Sequence, residues 1–191
     1  HTSIANSAES GDFGLVLVLK TGRMKKVVAS YVGENATFEK QFLDGDLEVE
    51  FKPQGTLADR IRAGGAGIPA FYTAAGAGTM IAEGKPSAQF QRPSDLGAGR
   101  EREYVLETGL YADLALVKAH TADAFGNLTY RMTARNFNQD MATAARIVIA
   151  EVDQIVPTGT LDPDAIHTPG SFVDRVVQTA SERRIEQRTT A

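Results

Sequence analysis

The sequence predicts an α/β fold in which a parallel or mixed sheet is flanked by helices. Strand-like and helix-like segments alternate from residue 26 to residue 64, and a glycine or a proline follows each of them. Such alternation is typical of strands that are joined by helical connections. The 191 residues and their ordinary apolar and charged fractions suit one domain with a sizeable core. We therefore predict a single domain over residues 1–180 and a charged tail over residues 181–191.

The N-terminal segment begins in the middle of an element, so we expect the natural chain to be longer than this sequence. Residues 2–4 read as the end of a strand, and residues 6–12 are polar and predict a loop. Residues 13–20, FGLVLVLK, are apolar on all sides. Periodicity leaves both a buried helix and a strand open for them.

A strand, an amphipathic helix and a second strand are predicted next. Residues 26–31 are rich in β-branched side chains, which favour a strand. Residues 35–44 place two phenylalanines four positions apart with polar residues between them, and Gly45 follows, which predicts a helix and its end. Residues 47–51, LEVEF, alternate apolar and acidic side chains, as a strand with one solvated face does.

A second helix is predicted to begin at Thr56 and to stop at the first glycine of GGAG. Thr56 is a favourable N-cap residue. Leu57 and Ile61 would form the buried side of this helix, and Arg60 and Arg62 its solvated side.

The second half of the chain predicts mostly strands. Residues 82–102 are irregular and polar, with several glycine and proline breakers, so we predict a surface excursion or a short hairpin. We predict strands over residues 104–107, 114–120, 147–152 and 172–177, a turn over residues 123–127, and a short alanine-rich helix that ends at Ala145.

The segment over residues 64–79, GGAGIPAFYTAAGAGT, is the most unusual in the chain. It contains five glycines, and it matches neither the GxxxxGK[ST] nor the GxGxxG phosphate-binding pattern. Glycine allows close approach of a ligand or of another backbone, and a proline restricts the freedom of the loop. From the residues alone, the segment is either a tight crossover between two layers or an irregular ligand-binding loop.

Composition excludes several classes of function. The net charge of −4, with acidic and basic residues interspersed, leaves no basic face for nucleic acid. The absence of cysteine excludes disulfides, thiolate metal sites and a cysteine nucleophile. Neither His120 nor His167 has a metal-like spacing to acidic residues, so we predict no metal and read both as hydrogen-bonded structural residues. Because no apolar run reaches the length of a membrane span, we predict a cytoplasmic protein.

Several segments of the chain carry a resemblance to a known family: PQGTLADRIRAGGAGIPAFYT with the following GAGT and AEGK, then ADLALVKAH, GNLTYRMTARNFN, MATAARIVIAEVD and LDPDAIHTPGSFVDRVV. In this order they resemble the alpha (A) subunit of the family I coenzyme A transferases, in particular the succinyl-CoA:3-oxoacid group. The resemblance extends over residues 6–177. It implies a Rossmann-like three-layer fold of the coenzyme A transferase type.

The resemblance also implies a reaction that this chain does not complete alone. In the family, a glutamate of the beta (B) subunit, in an SENG-type segment, attacks the acyl-CoA and then carries the coenzyme A as a thioester. This sequence has no such segment, and it also lacks the family's upstream GGFxxxGxP loop. We therefore expect no catalytic residue in this chain, a heterodimer or heterotetramer with the beta subunit, and a CoA thioester as substrate rather than a permanently bound cofactor.

The resemblance assigns substrate-binding roles to six residues. Asn6 matches one of a pair of asparagines that face the acyl group, whereas Ser7 departs from the second. Gln54 matches a glutamine that hydrogen-bonds the acyl substrate. From the residues alone, Asn6 would form an Asx turn and Gln54 would be a solvent-exposed loop residue. The remaining four residues are glycines that would line the passage for the acyl group or the pantetheine: Gly65, Gly67, Gly76 and Gly78.

The acceptor acid and the class of function stay open at this point. Residues 31–35 and 64–73 are more similar to the enzymes that use acetoacetate, whereas residues 119–131 are equally compatible with those that use 3-oxoadipate. The alternative from another class is a non-catalytic module that binds CoA or an acyl group. Glu83, Arg135 and Asn136 are better explained by surface ion pairs, capping and contacts between elements.

Overall fold

A computed structural model describes residues 1–8, 14–32, 35–92, 94 and 99–180 of the chain. The chain divides into two compact units, residues 1–110 and residues 111–191. The assignment of a single domain to residues 1–180 stays a prediction. The charged tail over residues 181–191 lies outside the described residues.

The N-terminal unit contains a parallel three-stranded sheet. Its strands are β1 (Thr2–Ala8), β2 (Lys26–Val32) and β3 (Glu48–Phe51), and β2 lies between the other two. Helix α1 (Leu15–Lys20) precedes β2, so the apolar run that left a helix and a strand open is helical where it is described. Helix α2 (Ala36–Leu43) connects β2 to β3, as predicted.

The helix α2 shows how local chemistry and packing agree in this unit. The Asn35 side chain caps it, because its Oδ1 accepts hydrogen bonds from the backbone N–H groups of Thr37 and Phe38 at 3.0 Å. Gly45, with φ of 78°, ends it. The apolar side of α2 packs on α1 and on the sheet, in a core formed by Leu19, Met24, Val27, Ala29, Phe38 and Leu47.

Helix α3 (Gln54–Gly65) starts three residues earlier than an N-cap at Thr56 would place it, which corrects that assignment. Pro53 is the N-cap, and its fixed φ of −53° favours a helix start at the next residue. Thr56 instead lies inside the helix, fully buried, and its hydroxyl has no hydrogen-bond partner among the described residues. Leu57 and Ile61 are buried as predicted. Arg60 is buried with them, which corrects its placement on the solvated side.

A second, antiparallel sheet completes the N-terminal unit. Its strands are β4 (Ala70–Thr73), β5 (Ser87–Gln91) and β6 (Glu101–Thr108), and β6 lies in the middle. The pairing of β5 with β6 confirms the hairpin reading of residues 82–102. Strand β4 lies inside the glycine-rich segment, so the expectation that this whole segment is irregular is wrong.

The C-terminal unit contains four strands and one helix: β7 (Ala112–Asp123), β8 (Leu128–Thr129), α4 (Asn138–Thr143), β9 (Ala145–Val156) and β10 (Arg175–Gln178). The strands form a mixed sheet in the order β10-β9-β7-β8. Strand β10 pairs in parallel with β9, and β9 with β7, whereas β8 is antiparallel to β7. The predicted last strand begins later than expected, because Gly170–Phe172 forms a 3-10 turn before it.

Hydrogen bonds fix the turns of the C-terminal unit. The Asp123 carboxylate accepts from the backbone N–H groups of Phe125 at 3.0 Å and Asn127 at 2.9 Å, which forms the predicted turn. Both histidines have hydrogen-bonded or ion-pair contacts, as predicted. His167 Nδ1 accepts from the backbone N–H of Tyr130 at 3.0 Å, and His120 Nδ1 lies 3.1 Å from a carboxylate oxygen of Asp153. No helix in the described part of the chain has the length and apolar character to span a membrane.

Candidate functional site

The three parallel strands end at one edge of their sheet, and two of the predicted site residues belong to that edge. Ser7 lies opposite Tyr31 in the register, close to the ends of β1 and β2. Asn6 lies two residues before the end of β1, and Gln54 follows the end of β3 by three residues. In open α/β sheets, ligands bind preferentially outside the carboxyl ends of the strands.

The predicted loop over residues 6–12 is in part a strand. Asn6 and Ser7 belong to β1, because the parallel partner β2 extends its ladder to Val32. Residues 9–12 lie outside the described residues, and so does the side chain of Asn6. The role that the resemblance gives to Asn6 therefore stays a prediction.

Gln54 lies at the start of α3 with an exposed side chain. The first N–H groups of an α-helix have no partner within the helix, and together with the helix dipole they favour an anion such as a carboxylate. The amide of Gln54 can both donate and accept hydrogen bonds. The position can therefore accommodate an anionic group that also takes part in hydrogen bonds.

The turn around Gly76 lies against the start of α3. Gly76 has φ of 83°, a conformation that side chains with a Cβ atom rarely adopt. A Cβ atom added to Gly76 would lie 3.3 Å from Ile81 Cγ2 and 3.7 Å from Pro53 Cγ. The turn therefore lies close to the residue that directly precedes Gln54. Gly78 belongs to the same turn, so the structure brings Gly76 and Gly78 to the neighbourhood of Gln54.

The other two predicted glycines are at the far end of α3. Gly65 is the last residue of this helix, and Gly67 lies in the turn that follows. Eleven residue steps of helix separate Gly65 from Gln54, which corresponds to about 16 Å. The structure therefore places the two pairs of glycines at opposite ends of β4 and does not join them into one loop.

A largely buried charge cluster, which sequence reasoning missed, adjoins the start of α3. Two carboxylates and three cations form it: Glu50, Glu107, Lys52, Arg60 and Lys85. Lys52 Nζ lies 3.1 Å from Glu50 Oε1 and 3.5 Å from Glu107 Oε2. Arg60 Nη1 lies 3.0 Å from Glu50 Oε1, and Lys85 Nζ lies 2.6 Å from Glu107 Oε1. The cluster joins β3, α3 and β6 with the segment before β5.

The charges of the cluster stabilise one another against the cost of burial. Burial alone would raise the pKa of the Glu50 carboxyl, but hydrogen bonds from Lys26, Lys52 and Arg60 outweigh it and lower that pKa to about 2. Burial lowers the pKa of Lys52 below its ordinary value, and the neighbouring Lys85 lowers it further. Burial would also lower the pKa of Lys85, but the hydrogen bond to Glu107 raises it instead.

The low pKa of Glu50 predicts a loss of stability in acid. Its folded-state pKa of about 2 lies below the ordinary value of 4.5, so its contribution is present above about pH 4.5 and is lost as the pH falls toward 2. We expect Glu50 to account for about 2 kcal/mol of the unfolding free energy lost between about pH 6 and pH 3. Urea denaturation at both pH values tests this. The Glu50→Gln variant should lose that part of the dependence, and the exposed control Glu103→Gln should retain all of it.

The spacing of the residues in α3 could have indicated that Arg60 is buried. Leu57, Arg60 and Ile61 are spaced i, i+3 and i+4, so that they share one face, whereas Arg62 is two residues from Arg60 and points away from it. In β3 and the residue after it, Glu50 and Lys52 are two residues apart and therefore on one face. The charges of Arg60, Glu50 and Lys52 suggested faces exposed to solvent. These faces are buried because the charges of opposite sign pair with one another.

Known protein families and curated sequences match this chain over nearly its whole length. The profile of the family described as coenzyme A transferase matches residues 1–179. A protein of Xanthomonas campestris pv. campestris, named as the alpha (A) subunit of succinyl-CoA:3-ketoacid coenzyme A transferase, is 56% identical over 98% of this chain and 74% of its own length. A protein of Bacillus subtilis with the same name, marked probable, is 57% identical over 98% of this chain and 76% of its own length.

Solved structures agree at the level of the fold. An acyl-CoA transferase from E. coli, in a thioester complex with CoA, matches with a TM-score of 0.77 and 19% identity over 97% of this chain. This chain spans 39% of the length of that protein. Glutaconate coenzyme A-transferase from Acidaminococcus fermentans matches with a TM-score of 0.71 and 20% identity, over 93% of this chain and 61% of its own length.

Proposed function

The chain belongs to the coenzyme A transferase family, and on that premise we propose that it is the alpha subunit of an enzyme that moves coenzyme A from succinyl-CoA to a 3-oxoacid such as acetoacetate. The observation that carries the proposal is the 56% identity, over 98% of the chain, to a protein named as the corresponding subunit of such an enzyme. The proposed enzyme acts in the cytoplasm and binds no permanent cofactor.

The proposed reaction has two half-reactions. A glutamate carboxylate of the beta subunit attacks the thioester carbonyl of succinyl-CoA, the C–S bond breaks, and the CoA thiolate leaves. The thiolate then attacks the glutamyl carbonyl of the resulting anhydride, which releases succinate and leaves a glutamyl-CoA thioester. The carboxylate of the acceptor acid attacks the carbonyl of this thioester, the C–S bond breaks, and a second anhydride and the CoA thiolate form. The thiolate then attacks the acceptor carbonyl of that anhydride, which gives the acceptor acyl-CoA and frees the glutamate carboxylate.

This chain would contribute one wall of the acyl pocket. The Gln54 amide would hydrogen-bond the acceptor acid, and the Asn6 amide would face the reacting acyl group. Backbone groups around Gly76 and Gly78 would line the passage next to Gln54, since the turn lies close to Pro53. Fixed amide donors of this kind stabilise the tetrahedral oxyanions of acyl transfer.

The direct test is an exchange assay on the complex. The chain is co-expressed with the beta subunit that carries the SENG-type segment, and transfer from succinyl-CoA is measured with acetoacetate, 3-oxoadipate and simple carboxylates as acceptors. Transfer to acetoacetate supports the proposal, whereas a strong preference for 3-oxoadipate assigns that acid as the acceptor. A stable complex that transfers to no carboxylate would instead indicate a non-catalytic module that binds CoA or an acyl group.

Replacement of Gln54 by alanine should weaken the use of the acceptor far more than the assembly of the complex. A hydrogen bond to a charged group contributes about 1.5–3 kcal/mol, so kcat/KM for the acceptor should fall about 10- to 100-fold. Gln89→Ala is the matched control, because Gln89 is an exposed glutamine on β5. Equal losses of acceptor use and of assembly in Gln54→Ala would make the residue structural.

A further inference from the structure

Lys52 lies two residues before the first residue of α3, and both its backbone and its side chain are bonded to neighbouring elements. Its backbone N–H donates to the Ala29 carbonyl at 3.0 Å, which continues the ladder between β3 and β2. Its side chain is only 6% exposed, and its Nζ lies between the carboxylates of Glu50 and Glu107. Only Pro53, with its restricted φ, separates this fixed residue from Gln54.

The carboxylate of Glu50 pairs both with Lys52, just before α3, and with Arg60, in the middle of α3. Glu50 Oε1 is the partner of both Lys52 Nζ at 3.1 Å and Arg60 Nη1 at 3.0 Å. Arg60 Nε also donates to the backbone carbonyl of Thr108, at the end of β6, at 2.8 Å. The direction of α3, and with it the place of its first residue, is therefore set from two sides.

Glu107 connects the start of α3 with the segment that leaves the Gly76 turn. Its Oε2 is within 3.5 Å of Lys52 Nζ, and its Oε1 is 2.6 Å from Lys85 Nζ. Lys85 is joined to the turn through short local bonds: its N–H donates to Ala82, and the Thr79 hydroxyl donates to the Gly76 carbonyl at 2.7 Å. Glu107 thus pairs with the residue before Pro53 and with Lys85, which follows Gly76 by nine residues and the 3-10 turn Met80–Ala82 by three.

We propose that Lys52 and Glu107 are positioning residues that fix Gln54 relative to the Gly76 turn and so determine the affinity for the acceptor acid. The inference rests on the proposed function. Buried ion pairs are a poor way to gain stability, because their desolvation offsets their attraction. A binding site, in contrast, needs its groups held to within about 0.5 Å. The cluster meets that requirement, because Glu107 pairs both with Lys52, two residues before Gln54, and with Lys85, in the segment after the Gly76 turn.

The test is a double-mutant cycle of Lys52 and Gln54 in the complex with the beta subunit. Lys52→Met keeps most of the length of the side chain and removes its charge, while Glu50 and Glu107 retain other cations. We expect the KM for the acceptor to rise about 10-fold, and kcat and the KM for succinyl-CoA to change less than about 2-fold. In the Gln54→Ala background, Lys52→Met should raise the acceptor KM by no more than about 2-fold, because Lys52 acts through Gln54.

An exposed lysine of α2 provides the control. Lys40→Met makes the same substitution at a residue that pairs with Asp44, and it should leave all constants unchanged. Independent effects of Lys52→Met and Gln54→Ala on the acceptor KM would overturn the proposal, as would an equal rise of the donor KM. If Lys52→Met does not assemble, Glu107→Gln enters the same cycle, and failure of both to assemble shows a structural role only. Inactivity of the unmodified complex, by contrast, counts against the proposed function itself.

Discussion

Replacement of Gly64 by alanine should reduce the free energy of unfolding of the N-terminal unit by about 3 kcal/mol. A Cβ atom at Gly64 would lie 1.7 Å from the backbone oxygen of Leu110 and 2.5 Å from its carbonyl carbon. These are backbone atoms, so no side chain can rotate away. The Leu110 N–H is itself bonded to the Arg60 carbonyl at 2.8 Å, so the end of α3 would have to move away from the end of β6.

Urea denaturation of the purified protein measures this effect, and the same helix offers a matched control. Gly55, in the first turn of α3, has no atom within 4 Å of an added Cβ and no positive φ. Gly55→Ala should therefore be neutral or stabilise by about 0.5–1 kcal/mol, since it restricts the unfolded chain. Similar losses in both variants would contradict the prediction, because they would show that the contact with Leu110 does not control the result.

Replacement of Arg60 by alanine should be the most destabilising single change in the charge cluster. Glu50 would keep Lys26 and Lys52 as partners, but the loss of the buried ion pair and of the donor to the Thr108 carbonyl should together cost about 3 kcal/mol. Arg60 pairs with Glu50 and also donates to the carbonyl and the hydroxyl of Thr108. The variant therefore loses an ion pair and two further bonds at once.

Arg62 provides the comparison for Arg60 on the same helix. Its side chain is 58% exposed and pairs with Asp59, three residues earlier on the helix. Exposed pairs of this kind contribute at most about 1 kcal/mol, so Arg62→Ala should shift the denaturation midpoint only slightly. A loss in Arg62→Ala as large as that in Arg60→Ala would contradict the buried placement of Arg60.

The elements that the sequence predicts correctly are those whose signals are local and repeated. The helix after Asn35 combines an amphipathic spacing with a terminal glycine, and its predicted bounds agree with the observed ones within one residue. The strands over residues 26–31 and 147–152 are rich in β-branched side chains and are both present. The alternation of these elements is sufficient to predict the α/β class.

The missed features depend on partners that are distant in the chain. Arg60 has the spacing of a buried residue, but its charge favours solvent unless Glu50 and Glu107 are available, and no local pattern reveals them. The wrong start of α3 has a simpler cause. Thr56 satisfies the preference for an N-cap, but the rigid φ of Pro53 begins the helix earlier.

The resemblance indicates which residues form the candidate site, and their roles stay predictions, but the sequence did not indicate how those residues are arranged. The PQG segment and its resemblance indicate Gln54, and the structure places it at the carboxyl edge of the parallel sheet. The glycines of residues 64–79 looked like one loop because they are close in sequence. Strand β4 separates them, since its backbone pairs with β6, and only the glycines at 76 and 78 remain near Gln54.

The long span between the partners of the charge cluster has a consequence during protein synthesis. Arg60 and Thr108 are 48 residues apart, and Glu107 precedes Thr108 by one position. At translation rates of about 5–20 residues per second, Lys52 and Arg60 leave the ribosome roughly 2–10 seconds before these partners. During that interval the nascent helix carries charges that cannot yet be buried, so the N-terminal unit can close only after β6 has emerged.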